Sequence, residues 1–544
     1  MIRMGQNFGR KKQDKETTAF ILFLLFMAVY YGWRLSALTP WYDELYTYYY
    51  FISRGPIYAA IHWPLPNNHI GYSVLSACLG IFGSPAVALR GISYLASLGS
   101  LVLLFRIGRK CFGQGLALVP VFLYTGMKLV NQLAVQGRGY ALVTLCYLTA
   151  VWELLHIATG QRGRIKDYLL FGSSLVLALY AIPSSVYVVI PICLTGGVAL
   201  LIQGETGKLI RLLVTSLLSA VCTAILYAIV WLAIGSNLLV KTEDSAYYGM
   251  GHASVILRAP FEALETGVEY MLATPYIQSV GREGFGHKWI LWMQNLLNEY
   301  YPGCSMILAV LLLLCAAALF LRIGWNLKHG VYRRNDRVLK DGQFLELHLA
   351  VSMVCIPLML VLLCSLPYYR VFSFAGGVVS LAAAWFFQTA TEYLKQKTAV
   401  GAVRWHMTWK YLPGAVTVFC GILSMALLLS PSYRAQYSDR EAAIEDAYAR
   451  ADWSETGKVA VTDCDQEYLL LFLYGISKER ITRDPAEADM VLADKYLLSD
   501  QGDEAADDSQ DAWKLYITRE EFLRCVETAG LEAVYENDRF ILYK

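Results

Sequence analysis

The stretch TAFILFLLFMAVYYGWRLSALTPWYDELYTYYYF, residues 18–51, passes from one solvent to another. As far as Trp33 nearly every residue is apolar, and a run of about 18 or more apolar residues can cross a bilayer as a helix. Only helices and closed barrels satisfy their backbone groups in lipid. The apolar residues here are continuous rather than alternating, which selects the helix. Arg10, Lys11 and Lys12 precede the run as in a signal peptide. No A-x-A-like site follows, so an uncleaved first span over 18–36 is expected. Just beyond it, WYDELYTYYYF (41–51) sets Asp43 and Glu44 among Trp41, Tyr42, Tyr46, Tyr48, Tyr49 and Tyr50. Such aromatics form a belt at a membrane surface.

The rest of the chain repeats the pattern. Of 544 residues, 56% are hydrophobic and 17% charged, against roughly 25% charged in soluble domains. Further apolar runs lie at 88–107, 113–131, 137–157, 166–182, 185–203, 208–234, 302–323, 346–366, 370–391 and 411–430. The expected fold is a polytopic α-helical membrane protein of about eleven transmembrane helices over 18–430, after an N-terminal segment 1–17. The tail 431–544 holds 26 of the 44 acidic residues but 13 of the 46 basic ones, leaving 33 basic and 18 acidic residues in 1–430. Two regions in different solvents explain that split. A basic membrane region suits anionic lipid headgroups and does not imply nucleic acid. In the tail, β-like runs at 458–462, 490–493 and 539–543 alternate with helical patterns at 440–450, 466–475 and 519–529, predicting a small α/β domain. The stretch 500–512 reads as a solvated acidic loop, and Asp463 and Asp465 as one solvated strand face. Nine of the twelve cysteines sit in apolar runs; Cys464 and Cys525 are free to pair in an oxidising compartment.

Charge decides the topology. Arg/Lys-rich loops mark the cytoplasmic side, and the basic segments at 10–15, 106–110, 160–166, 205–211, 322–334 and 395–410 fall on one side only if the apolar segment 68–83 lies at the interface. The N-terminus is then cytoplasmic, and the tail extracytoplasmic at the cell membrane. The outer side gathers the first loop (37–88), the 131–137 connector, a long loop at 235–301 and the Pro367–Arg370 turn. The long loop, with Tyr247, Tyr248, His252 and His287, is either a lid or an ordered interfacial loop.

Three arginines reach this outer rim: Arg90 in SPAVALRGISY (84–94), Arg138 in QGRGYAL (136–142) and Arg370 in PYYR (367–370). Each alone can snorkel to the headgroups, but guanidinium forks suit phosphate oxygens. A carboxylate beside them is chemically able to act as a general base, although neighbours on a helix point about 100° apart, so Asp43 and Glu44 need not share a site. His62 and His69 in HWPLPNNHIGY (62–72) are too far apart for a metal pair, and no metal or cofactor is expected.

In order, Asp43-Glu44, PLPNNH (64–69), ALR (88–90), GRK-CFG (108–113), QGRGYAL and PYYR resemble the GT-C glycosyltransferases, specifically the family 39 and dolichyl-phosphate-mannose-protein mannosyltransferase-like group. The likeness is good over 18–157 and loose to 430. It implies a polyprenyl-phosphate-linked sugar as donor and a cell-envelope glycan, lipid or protein as acceptor. It implies that Asp43 is the catalytic base with Glu44 the second acid. It places Arg90, Arg138 and Tyr140 near the site, with Asn68 and His69 in the substrate loop, and Tyr369 and Arg370 at the lipid phosphate. Many members carry His-Pro-Pro-Leu where this chain has PLPNNH. The reaction implied is a single inverting displacement. A lipid or solute transporter is the alternative; it predicts mid-span charges and related halves, of which the sequence shows few.

Overall fold

The computed structural model describes the chain apart from residues 1, 63–67, 114, 161–162, 274–279, 332–338, 399–410, 437, 454–455 and 496–513, and without side chains for 2–14 and 395–398. The acidic stretch 500–512 and most of PLPNNH therefore lie outside the described residues.

Eight helices among the described residues are long and apolar enough to cross a membrane. The first, α1 (Ile2–Ala37), turns at Pro40 into the short α2 (Tyr42–Tyr50). Two small helices follow, α3 (Pro56–Ile61) and α4 (Ile70–Leu79). Ten residues of helix rise about 15 Å, half of a hydrocarbon core of about 30 Å, so α4 is too short to cross. Ile81 and Phe82 just after it are left exposed, as befits a segment lying at the interface.

Next come α5 (Pro85–Cys111), α6 (Val119–Thr125), α7 (Lys128–Leu133), α8 (Tyr140–Thr159), α9 (Ile165–Ala181), α10 (Val186–Gln203) and α11 (Thr206–Lys241). The run 113–131, expected as one span, is two short helices broken at Gly126 and Met127; the Gly126 N–H bonds back to Phe122, and Met127 opens the next helix in an extended conformation. The segment 235–301 is mostly helical: α11 runs on to Lys241, then α12 (His252–Arg258), α13 (Pro260–Ala273) and α14 (Phe285–Tyr300) follow. Tyr247 donates to Glu262 at 2.7 Å within this segment. The bundle closes with α15 (Ser305–Lys328), α16 (Asp341–Leu363), α17 (Ala375–Thr398) and α18 (Leu412–Leu429).

Among the described residues, the tail forms a five-stranded sheet in the order β2-β1-β3-β5-β4. Here β1 is Val459–Val461, β2 Ile481–Thr482, β3 Met490–Asp494, β4 Ala533–Glu536 and β5 Phe540–Tyr543. β1 pairs parallel with β2 and β3, while β5 runs antiparallel to β3 and β4. Helices α19 (Asp439–Tyr448), α20 (Cys464–Leu473) and α21 (Arg519–Ala529) accompany the sheet. Strands β2 and β4 escaped the sequence reading, β2 being two residues long and half-buried and β4 being mostly exposed.

One expectation for the tail fails, and one pairing left open is not made. Asp463 and Asp465 are not a solvated strand face. Asp463 caps α20, and both are fully buried around Arg440, which also binds Asp494 at 2.8 Å. Lys514 adds a second cation at Asp465, 2.9 Å away, and Arg539 a third at Asp494, 3.5 Å away, so that three carboxylates share three cations in a cluster that burial would otherwise forbid. Burial first, then the neighbouring Asp463, pushes the Asp465 carboxyl up to about 7. Nor do Cys464 and Cys525 pair: Cys464 is buried at the start of α20, while Cys525 lies on α21 beside Asp484, 3.8 Å away.

Candidate active site

Helix α2 organises the site because three successive residues, each rotated about 100° from the last, meet three different bodies. Its first turn carries Asp43 and Glu44, where carboxylates suit the positive end of the helix dipole. Glu44 also folds back on the Trp41 N–H at 3.4 Å.

Glu44 points into the bundle and is fully buried. Arg90 of α5 grips it with two parallel bonds, Nε to Oε1 at 2.7 Å and Nη2 to Oε2 at 2.9 Å. The remaining Arg90 nitrogen donates to the carbonyls of Leu35 and Leu38, at 2.8 and 2.7 Å. The Gly137 amide adds a third donor to Glu44, at 2.6 Å. This acid and this arginine saturate one another and tie the end of α1, α2 and α5 to the 131–139 connector.

The connector QGRGY is glycine-flanked for a steric reason. A Cβ on Gly137 would stand 2.5 Å from a Leu89 methyl and 3.1 Å from Glu44 Oε1, and one on Gly139 3.3 Å from His69 Nδ1. Both amides instead approach as donors, Gly139 to His69 Nδ1 at 2.9 Å. Between them, buried Arg138 donates to the Thr47 hydroxyl of α2 at 2.6 Å and lies 3.2 Å from His69 Nε2. Tyr140 sets its ring edge-on to His69, centroids 5.0 Å apart. Burial first, then the Arg138 and Arg370 charges, hold the His69 imidazole well below its ordinary pKa. Asn68 is a brace: its amide donates to the Ala59 and His62 carbonyls and its oxygen accepts from Ser73.

Asp43 points another way. Its carboxylate meets Arg370 at 3.3 Å, and this pair keeps 14% and 22% of its side-chain surface open, against 0% and 2% for Glu44 and Arg90. The Arg370 guanidinium lies over the rings of Tyr368 (4.6 Å) and Trp41 (5.2 Å), which hold its plane by cation–π attraction. The 3-10 turn Tyr369–Phe372 that carries Arg370 rests on Trp292 of α14. Trp292 donates to the Pro367 carbonyl at 2.8 Å. Phe372 of the turn and Trp292, with Tyr300, Met306 and Met353, help to line an apolar cavity of about 490 Å³ among α14 to α17, which Asp43 and Arg370 do not themselves line. The structure thus joins Asp43 with Arg370, and Glu44 with Arg90. Arg138, His69 and Tyr140 form a buried layer behind them. Thr47, Gly137, Gly139, Trp41 and Trp292 are additions the sequence reading missed; the glycines flanking Arg138 were the visible signal.

Among known proteins, residues 70–234 match the family described as dolichyl-phosphate-mannose-protein mannosyltransferase. ArnT from Cupriavidus metallidurans superposes in its apo state over 97% of this chain and 98% of its own, with TM-score 0.53 at 11% identity. The same enzyme bound to undecaprenyl phosphate gives 0.53 at 12% identity over the same shares. The fold is that of the GT-C glycosyltransferases. The oligosaccharyltransferase AglB from Archaeoglobus fulgidus, solved with an inhibitory peptide and a dolichol-phosphate, aligns over 89% of this chain and 70% of its own at 12% identity, with TM-score 0.42. No curated protein sequence matches the chain.

Proposed function

We propose that the protein is an integral membrane glycosyltransferase that moves one sugar from a polyprenyl-phosphate donor to an acceptor hydroxyl on the extracytoplasmic face of the cell membrane. The observation that carries this reading is the partly open Asp43–Arg370 pair, its arginine on a turn whose Phe372 and supporting Trp292 also line an apolar cavity. A phosphate on a hydrocarbon tail asks for that combination, a cationic fork at the rim and an apolar space near it. The family matched over 70–234 and the undecaprenyl phosphate held by ArnT support the same donor class. The short α4 favours the topology with a cytoplasmic N-terminus, 18–430 as the membrane domain and 431–544 as an extracytoplasmic one.

In this mechanism the acceptor hydroxyl gives its proton to Asp43 as its oxygen attacks the anomeric carbon. The bond from that carbon to the phosphate oxygen breaks, and polyprenyl phosphate leaves with inversion. Arg370 trades Asp43 for the phosphate and neutralises the charge growing on it. Glu44, Arg90, Arg138, Asn68, His69 and Tyr140 hold the frame, because their polar groups are turned inward.

The direct test incubates purified protein with a panel of polyprenyl-phosphate sugars and follows free polyprenyl phosphate by mass spectrometry. Release with an acceptor gaining one sugar mass supports the reading. A gain of a whole oligosaccharide points to a ligase, and lipid movement without release to a transporter. Arg370→Ala is expected to raise the donor KM by on the order of ten- to a hundredfold, the value of a charged hydrogen bond of about 1.5–3 kcal/mol. An unchanged donor dependence removes Arg370 from the site.

A further inference from the structure

The third face of the α2 turn leads outside the bundle. Leu45, next to the two acids, is fully buried, and it is buried in the core of the C-terminal unit, with Ile444, Tyr448, Val459, Leu469 and Leu492. The contacts around it are equally specific. The Tyr42 amide, at the start of α2, donates to the buried Glu441 of α19 at 3.0 Å. The Thr39 amide donates to Gln436 at 2.9 Å, and the Thr39 hydroxyl to Glu445. Tyr468 of α20 stacks on Tyr49 at 5.6 Å and 19°, and Phe472 meets Tyr48 edge-on at 5.1 Å.

A nine-residue helix has too few internal bonds to hold itself in water. Its rotation is therefore set by what grips it. The bundle grips one side through Glu44 and Thr47, and one side alone leaves the helix free to roll about that seam. The tail grips the other side through Leu45, Tyr48 and Tyr49. Asp43 lies between the two grips, facing Arg370.

We propose that the C-terminal α/β unit is a positioning element of the active centre: by taking Leu45 into its core and stacking Tyr468 on Tyr49, it sets the rotation of α2 that turns Asp43 towards Arg370. Leu45 and Tyr468 are positioning residues, and the proposal rests on Asp43 being the base.

The test uses the full-length protein and compares L45A, Y468A, Y468F and D43N by turnover, donor KM and hydrogen–deuterium exchange of residues 42–50. L45A and Y468A are expected to lower kcat on the order of tenfold to a hundredfold, as a misplaced catalytic group does. The donor KM should stay within about twofold, since these residues do not touch the phosphate. Exchange in 42–50 should rise while α5 and α8 stay protected. Y468F keeps the stacking face and is expected to restore turnover. Tyr468 is only partly buried, so Y468A decides the question even where L45A unfolds the tail. Full turnover in Y468A, with D43N inactive, overturns the positioning role alone. Full turnover in D43N overturns the base assignment and the positioning role with it, and unchanged exchange in 42–50 of Y468A overturns the clamp whatever the chemistry.

Discussion

Asp43→Asn is expected to abolish release of polyprenyl phosphate while leaving the thermal unfolding of the protein unchanged. The substitution keeps the shape of the side chain beside Arg370, 3.3 Å away, and removes its charge. It removes the one property the mechanism needs, the capacity to take a proton from the acceptor hydroxyl. General base catalysis contributes about 10²–10⁴-fold, so turnover should drop by at least the lower figure. Because Asp43 is partly open to solvent, no buried charge is stranded and stability should hold. The check is the rate of polyprenyl phosphate release by mass spectrometry beside a melting curve in the same detergent. Near-normal release would sink the assignment, and a large loss of stability would make Asp43 a structural residue.

Glu44→Ala should show the opposite profile, a large loss of stability from a residue directly adjacent in sequence. The change leaves the Arg90 guanidinium buried with two carbonyls, Leu35 and Leu38, and no carboxylate. Removing one partner of a buried ion pair costs about 3–5 kcal/mol. The Gly137 amide loses its acceptor as well. Unfolding in detergent should shift by an amount of that order, and Glu44→Ala combined with Arg90→Met should recover much of it, because the stranded charge goes with the arginine. A double variant no more stable than Glu44→Ala would show that the pair is not the source. The contrast between the two neighbours is a sharp discriminator: Asp43 is expected to move rate and Glu44 stability.

The membrane nature of the chain was legible because hydropathy is a local property. A run such as 18–36 must become a helix in lipid whatever surrounds it, since no other arrangement satisfies its backbone. The break at Gly126 and Met127 was hidden because apolar residues continue across it, and hydropathy does not register a change of helix direction. In the tail, Asp463 and Asp465 looked solvated because acids usually are. Their burial depends on Arg440, which reaches them from another helix, and nothing local to VTDCDQ announces that partner.

The site divides in the same way. The sequence by itself placed Asp43 just past the first apolar run and Arg90, Arg138 and Arg370 at the starts of later ones, and charge asymmetry was enough to expect them on one side. Its charge split led to the expectation that a basic membrane region and an acidic tail inhabit different surroundings. Only the tertiary structure decided which acid meets which arginine. Asp43 and Glu44 are consecutive and chemically alike, and the 100° between them on α2 is what separates an open carboxylate facing Arg370 from a saturated one gripped by Arg90. That angle has consequences only once the bundle on one side and the core around Leu45 on the other have fixed how the helix is turned, and both contacts come from residues far away along the chain.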